Sequence, residues 1–423
     1  MKNTKNLISF IEKSPSPFHV VNNFKSILKE NDFIELTENK PFNLEYGKSY
    51  YISRNNSAIL AFKVPTNGIK KLAICSAHTD SPTFKVKPNP EVKAAAGLYT
   101  CLNVEPYGGN LLHPWFDRPL SIAGRVFLDK NGTREEVLLD FDKDLVSIVS
   151  LAIHQNREVN NGYKLNVQKE LCPLFTTSFE AKSFMNYLAN HLNVKLEDIL
   201  DYDLFLYNRN KGSIWGPNDE FFSIGKIDDL ACAYAAIASL LETKVTTSTL
   251  PMACLFDNEE VGSGSNQGAL SDFLHNTLER ICLSLNISKE EFYMLLSESF
   301  VLSADNGHAV HPNYMEKSDI TSAPAMNKGV LLKYSGNLKY TTDGESGALV
   351  KLLCKLNNIP LQVFANNSNV PGGSTLGNLS IQKIGIKTAD IGLAQLAMHS
   401  PYECAGCEDL THMMNLLKAF FIY

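Results

Sequence analysis

The stretch Pro251-Met-Ala-Cys-Leu-Phe-Asp-Asn-Glu-Glu-Val-Gly-Ser263 decides how the rest of the chain is read. Its first part, Met252 to Phe256, is a short continuous apolar run, as in a strand buried on both faces. The run stops at Asp257, Asn258, Glu259 and Glu260, and Gly262 follows as a turn residue. Neighbouring carboxylates repel, and burying two of them is costly unless something offsets their charge. Taken alone, Glu259-Glu260 therefore reads as a solvated acidic turn. The same arrangement recurs, however. Leu72 to Ser76 is an apolar run ending in Ala77-His78-Thr79-Asp80. Phe300 to Ala304 ends in Asp305, with His308 and His311 close behind.

The order of elements around that stretch predicts an α/β protein. From Gly225 onward, strand-like and helix-like segments alternate. Asp228 to Leu241 is an Ala-rich helix, apolar nearly all round, as a buried helix is. Further helices are expected at 268–285, 289–296, 344–357 and 404–420, and strands at 250–256, 300–304, 329–333, 361–365 and 388–393. Near the amino terminus, Leu7, Ile8 and Ile11, then Val20, Val21, Phe24 and Leu28, predict two helices divided by Ser14-Pro-Ser-Pro-Phe-His19. Strands are expected at 33–36, 49–54, 58–64 and 72–76. Such alternation argues a mostly parallel sheet covered by helices on both faces, with ligands bound beyond the carboxyl ends of its strands.

Residues 91–222 have a different texture. Turns at Gly108-Gly109, Asn131-Gly132 and Asn161-Gly162 separate strand-like stretches at 120–128, 136–141 and 163–173. Helices are expected at 178–191 and 195–200. This β-rich α+β segment reads as an inserted domain that splits the other one into 1–90 and 223–423.

The chain's 423 residues suffice for two such domains. Its net charge of −6 argues against a nucleic-acid partner, which calls for a basic face. No apolar run approaches the length of a membrane span, and the amino terminus lacks the apolar core of a signal peptide. The nine cysteines are scattered and odd in number, and Cys75, Cys232, Cys254 and Cys282 lie in apolar stretches as small hydrophobes. A reducing cytoplasm is the location inferred. Cys404 and Cys407 form a lone CxxC without a second pair, which points to neither a metal site nor a redox motif.

Five polar clusters fall at strand ends or in adjoining loops: His78/Asp80, Asp228/Asp229, Glu259/Glu260, Asp305 with His308 and His311, and His399. Singly, each has a plain structural reading. Asp228 serves as a helix N-cap, Asp305-Asn306-Gly307 as a turn, and His399 as part of a helix entry. Jointly they meet the requirements of a two-cation site about 3.5–4 Å across. Imidazole and carboxylate donors suit zinc, cobalt or manganese. One carboxylate must bridge the cations, and another, not a ligand, must accept a proton from water. Adjacent Glu259 and Glu260 can supply base and ligand from one turn. Asp80, close behind His78, is placed to orient it.

With these motifs in hand, the chain resembles the M18 family of metallo-aminopeptidases, whose best-known members are the aspartyl aminopeptidases. The resemblance rests on Ser14-Pro-Ser-Pro-Phe-His19, His78-Thr-Asp-Ser-Pro82, Trp115-Phe-Asp-Arg118 and Gly225-Lys-Ile-Asp-Asp-Leu230. It continues through Asp257-Asn-Glu-Glu-Val-Gly-Ser263, Ser303-Ala-Asp-Asn-Gly-His-Ala-Val-His-Pro-Asn313 and Gln395-Leu-Ala-Met-His-Ser400. It implies a zinc-aminopeptidase-like core and an inserted dimerisation domain. It also implies two divalent metal ions per subunit, zinc first, with cobalt or manganese as alternatives. His78 and Asp305 would hold one ion, Glu260 and His399 the other, and Asp228 would bridge them. Glu259 would be the general base and Asp80 would orient His78. Many members have Asp-Asn where this chain has Asp228-Asp229, and the bridge is given to the first of the pair.

The resemblance further implies release of an N-terminal residue, acidic or neutral, from peptides. Lys333 and Tyr340 match substrate-pocket positions, and a lysine there can pair with an acidic side chain. His154, in Leu151-Ala-Ile-His154, matches a histidine that reaches a neighbouring subunit's site, where it can donate to the oxyanion. The family assembly is a tetrahedral dodecamer built from dimers. The alternative activity is that of another di-zinc amidohydrolase, a deacylase on the same core, which would need a group for a free carboxylate and no site for the α-amine.

Overall fold

A computed structural model gives the fold, and it describes residues 1–177, 182–370, 372, 373, 375, 377 and 383–423. The chain forms two compact units. The first comprises Met1–Ser81, Gly212–Met398 and Glu403–Tyr423, and the second Pro82–Lys211 with His399–Tyr402.

The first unit is built on a nine-stranded mixed sheet. Its centre is four adjacent parallel strands in the order Thr249–Phe256, Lys71–His78, Phe300–Ala304 and Lys387–Gly392. Antiparallel neighbours join on both sides: the Ala58–Lys63 strand along Thr249–Phe256, and Val330–Tyr334 along Lys387–Gly392. The alternation of side chains across each strand explains the burial on both faces. Ala73, Cys75, Ala77, Ala253 and Leu255 enter one core with residues of the helices Lys2–Glu12, Pro17–Glu30, Ile227–Glu242, Gly344–Leu356 and Asp409–Phe421. Leu72, Ile74, Met252, Cys254 and Phe256 enter a second core with Phe273–Ser284 and Lys289–Glu298. The Ala-rich helix is buried nearly all round, as its composition requires, with Tyr234, Ala238 and Leu241 half-buried.

A smaller five-stranded sheet in this unit was not legible in the sequence. It runs Ser213–Trp215, Phe221–Ile224, Glu403–Gly406, Ala394–Leu396 and Gly307–His308. It corrects the last helix, expected from Cys404. Residues Glu403–Gly406 pair with Phe221–Ile224 instead, and the helix begins at Asp409. Gly406 is a poor helix residue, and a Cβ there would lie 2.6 Å from the Asn327 backbone nitrogen.

The second unit holds a six-stranded sheet in which every pairing is antiparallel. Its order is Thr133–Asp140, Leu120–Lys130, Ile199–Asn208, Thr83–Ala94, Tyr99–Tyr107 and Leu174–Thr176. Phe84, Trp115, Ile122, Phe184 and Leu204 lie in its core, with Phe84 and Trp115 edge to face at 5.0 Å. The unit begins at Pro82 rather than residue 91 because Thr83–Ala94 belongs to this sheet. It ends at Lys211 because Phe221–Ile224 pairs within the first unit. Two local expectations are corrected. Residues 163–173 are not a strand: Asn166 caps the short helix Val167–Glu170 by accepting the Lys169 N–H. The helix expected at 195–200 is only the turn Leu196–Asp198, after which Ile199–Asn208 is a strand. The helix expected from 178 runs Ser183–Leu192, and residues 178–181 lie outside the described residues.

Candidate metal centre

Two neighbouring parallel strands bring the first residues together. The pairing of Lys71–His78 with Thr249–Phe256 sets His78 beside Phe256, and the Thr79 N–H donates to the Phe256 carbonyl at 2.8 Å. His78 and Asp80 thus leave the sheet next to the acidic turn. That turn forms because Asn258 takes a left-handed conformation (φ +62°), which asparagine tolerates, and Gly262 another (φ +93°). The Asn258 side chain accepts from Ser265 and Gln267, and the Ser263 N–H donates to the Asn258 carbonyl. Glu259 and Glu260 open the resulting single helical turn.

Asp80 ties the turn to the histidine. Its two carboxylate oxygens accept the backbone N–H groups of Glu259 (3.1 Å) and Glu260 (3.2 Å). Its Oδ1 also lies 3.3 Å from His78 Nδ1, which is 3.0 Å from the Asp80 carbonyl. With Nδ1 so engaged, Nε2 faces Asp228 Oδ1 at 3.6 Å.

Asp228 and Asp229 sit at the start of the Ile227–Glu242 helix with non-helical backbone angles, joined by a cis peptide bond. Their roles differ. Asp228 approaches the His78 ring, whereas Asp229 accepts the His78 backbone N–H at 3.3 Å. Asp305 follows the Phe300–Ala304 strand directly. Gly392 permits its approach, because a Cβ there would lie 2.1 Å from the Asp305 carbonyl oxygen.

The electrostatics are those of an acidic cluster short of cations. Burial pushes the Glu259 carboxyl up to about 8; His78 opposes this, while Asp305, Asp80 and Asp228 add to it. Burial likewise raises Asp229 far above the ordinary range, against His78 and with Asp305 and Asp228. Asp305 is raised by burial, with Lys333 opposing. For His78, burial alone would lower the imidazole, but Asp228 and Asp80 outweigh it and hold the ring well above its usual value. Among the described residues of the first unit, two sets of donor atoms lie within 4.8 Å of one another: His78, Asp228 and Asp305, and His78, Glu259 and Glu260. Mixed imidazole and carboxylate donors, buried and mutually repelling, fit a zinc-type cation, which would relieve the repulsion.

His399 belongs to the second unit, where Nδ1 lies 2.8 Å from the Gly109 carbonyl; donation to that oxygen makes Nε2 the acceptor nitrogen of the ring. His154 lies in an exposed turn of the second unit, not in a helix. His308 and His311 line a cavity of about 420 Å³ with Tyr314, Phe364, Asn366 and Gln395. Tyr340 backs that wall, its ring 6.0 Å from Phe364 and its hydroxyl 3.4 Å from Asn366 Nδ2.

Lys333 is 1% exposed. Its ammonium donates to the carbonyls of Asp305 (2.8 Å) and Asn306 (2.9 Å), lies 3.6 Å from Asp305 Oδ1 and sits over the Tyr340 ring. Burial would lower its pKa, but Asp305 outweighs it and keeps the ammonium charged. It is therefore committed inside the fold. Sequence reasoning gave no part to Gln395 and Glu403, both buried, although each is a polar residue among apolar or small neighbours. All nine cysteines are free thiols. Among the described residues no helix is long and apolar enough to cross a membrane.

Residues 10–421 match the family described as Aminopeptidase I zinc metalloprotease (M18). A probable M18 family aminopeptidase 2 of Clostridium novyi is 43% identical, with 100% of this chain and 99% of that protein covered. An aspartyl aminopeptidase of Dictyostelium discoideum is 37% identical over 99% of this chain and 96% of its own length. The mApe1 dodecamer of S. cerevisiae superposes with a TM-score of 0.86 at 28% identity, covering 99% of this chain and 96% of that one.

Proposed function

We propose a di-metal peptide-cleaving site for this chain, which belongs to the M18 family of zinc aminopeptidases and is itself a metallo-aminopeptidase. In this reading His78 and Asp305 would hold one divalent ion, Glu260 and His399 would hold the other, and Asp228 would bridge them. Zinc is the first choice, with cobalt or manganese as alternatives. When bound, the ions supply Lewis acidity toward the scissile carbonyl and the attacking water.

The protein's own groups do the rest. Glu259 takes a proton from the water at a carboxylate oxygen and later delivers it to the departing amine nitrogen. Its raised pKa would fall toward working range beside cations. Asp80 holds the His78 ring and the backbone of Glu259 and Glu260, so that base and ligand keep a fixed separation. That double grip by Asp80 is the observation that carries the reading.

The substrate is a peptide with a free amino terminus. Preference for an acidic first residue is supported by the Dictyostelium discoideum relative named aspartyl aminopeptidase. Lys333 can meet an acidic side chain only if it gives up the carbonyls of Asp305 and Asn306. Tyr340, behind the His308–His311 cavity, is the second pocket residue in this reading. The dodecamer among the similar structures supports a homo-oligomer. In the same reading it is built from dimers through the second unit, and His154 of one copy donates to the oxyanion in another. A cytoplasmic location accords with nine free thiols.

The test uses the purified enzyme stripped of metal and assayed with Asp-, Glu- and Leu-aminoacyl substrates and an N-acetylated peptide. Activity on free amines that returns with zinc supports the reading. Cleavage of the N-acetyl peptide alone would replace it with a deacylase. An unchanged Asp-to-Leu preference in Lys333→Ala would remove Lys333 from the substrate pocket.

A further inference from the structure

Asp228 must present its carboxylate from a backbone that departs from the helix it begins. The peptide group joining Ile227 to Asp228 is held at both ends. Its carbonyl, on Ile227, accepts from Asn306 Nδ2 at 2.9 Å, and its N–H, on Asp228, donates to Glu403 Oε2 at 3.1 Å. The two holding side chains are joined through Gln395, whose Oε1 accepts from Asn306 Nδ2 (2.8 Å) and whose Nε2 donates to Glu403 Oε1 (3.2 Å). Four hydrogen bonds thus close a ring around one peptide group.

The ring is buried and fully engaged at its node. Asn306, Gln395 and Glu403 are 3%, 0% and 1% exposed. The Asn306 oxygen also accepts the Leu393 N–H and the Cys232 S–H, so the amide uses both donors and both lone pairs. Asn306 is moreover the residue after Asp305, and Lys333 holds the carbonyls of both. The Asp228 carbonyl accepts from Ser81 Oγ at 2.8 Å. A buried, closed polar ring of this kind admits one geometry, because each lost bond strands a desolvated polar atom.

We infer that Asn306, Gln395 and Glu403 are positioning residues that fix the Asp228 carboxylate for metal binding. The inference rests on the proposed role of Asp228. Removing such support typically costs about 10–100-fold in metal affinity or activity.

The ring supplies its own test. Glu403→Gln alone sets one amide nitrogen against that of Gln395 and breaks a bond. The double change Gln395→Glu with Glu403→Gln keeps charge and volume and restores all four. The carboxylate at 395 then accepts from Asn306 and from the new amide at 403, whose oxygen takes the Asp228 N–H. Zinc affinity of the metal-stripped protein is measured by competition with a chromogenic chelator, alongside kcat, KM and Tm. The expected result is that Glu403→Gln loses about 10-fold or more in zinc affinity and kcat with KM little changed, and that the double variant recovers both. Wild-type affinity in Glu403→Gln, a fall in Tm alone, or failure of the folded double variant to recover overturns the inference. If these variants do not fold, Gln395→Met is read instead, and unchanged affinity in it is equally decisive against. A wild-type protein that binds no zinc would instead sink the proposed function itself.

Discussion

The two compact units treat acidic side chains in opposite ways. In the second, Asp203 lies 2.7 Å from Lys85 and 3.0 Å from Arg125. Burial would raise its pKa, but the two cations outweigh it and hold the carboxyl below the ordinary range. In the first, Asp228, Asp229, Asp305 and Glu259 crowd around His78 and Lys333, and three of these carboxyls are pushed up. A carboxylate matched by its own cations is a structural tie. Carboxylates in excess over their cations form a site waiting for charge from outside. The difference sets the first unit apart as the one whose acids are unmatched, although both contain acids in quantity.

The largest effect that could break this contrast is catalytic. If Glu259 is the proposed base and not a ligand, Glu259→Gln should lower turnover by about 10²–10⁴-fold while zinc stays bound. Near-normal turnover in a steady-state assay would take the base role away from Glu259. Next come two core truncations of one size, Phe256→Ala in the first unit and Phe84→Ala in the second, each costing about 3–5 kcal/mol in chemical denaturation. Phe256 pairs with His78 and its carbonyl takes the Thr79 N–H. Its truncation should weaken zinc binding far more than that of Phe84, and equal loss in both would erase the distinction.

Asp409 extends the contrast away from the centre. It is buried, accepts the N–H groups of Asn327 and Gly329, and has its pKa raised by burial to about 6. A carboxyl raised in the folded state holds a proton that the unfolded chain has released. Its stabilisation is therefore complete below the unfolded value and lost as pH rises through about 6. The swing is about 3 kcal/mol. Asp203, lowered in the folded state, should do the reverse, stabilising above the unfolded value and failing as pH falls. Denaturation midpoints across that range should lose the falling component in Asp409→Asn and the rising one in Asp203→Asn. The smallest effect is at Asp80, whose change to Ala should cost about 10–100-fold in zinc affinity or activity.

The contrast also accounts for what could be read from the chain alone. The first unit's central strands, such as 250–256 and 300–304, are continuous apolar runs with abrupt polar ends, and those ends carry the acids and imidazoles. The second unit is antiparallel and half-solvated, so its signal is only alternation. In Thr83–Ala94 even that is interrupted by Pro88 and Pro90 and by a register shift between Val86 and Glu91. Ile199–Asn208 was hidden by the acidic, helix-like Leu196-Glu-Asp198 before it. At the centre, residue types were legible because chemistry limits which side chains can bind a cation. The support by Gln395 and Glu403 was not, because its partners meet only when distant strands pair. Nor was the burial of Lys333, since a lysine in a strand normally reaches water.

The carboxylate of Asp80 takes both N–H groups of the turn bearing Glu259 and Glu260, while its own chain carries His78. A displacement of that strand end carries histidine and glutamates together, so breathing of the sheet shifts all of them in common and cancels from their separations. The centre can then keep its internal distances while the surrounding fold fluctuates, as one end of a hinged rule keeps its markings.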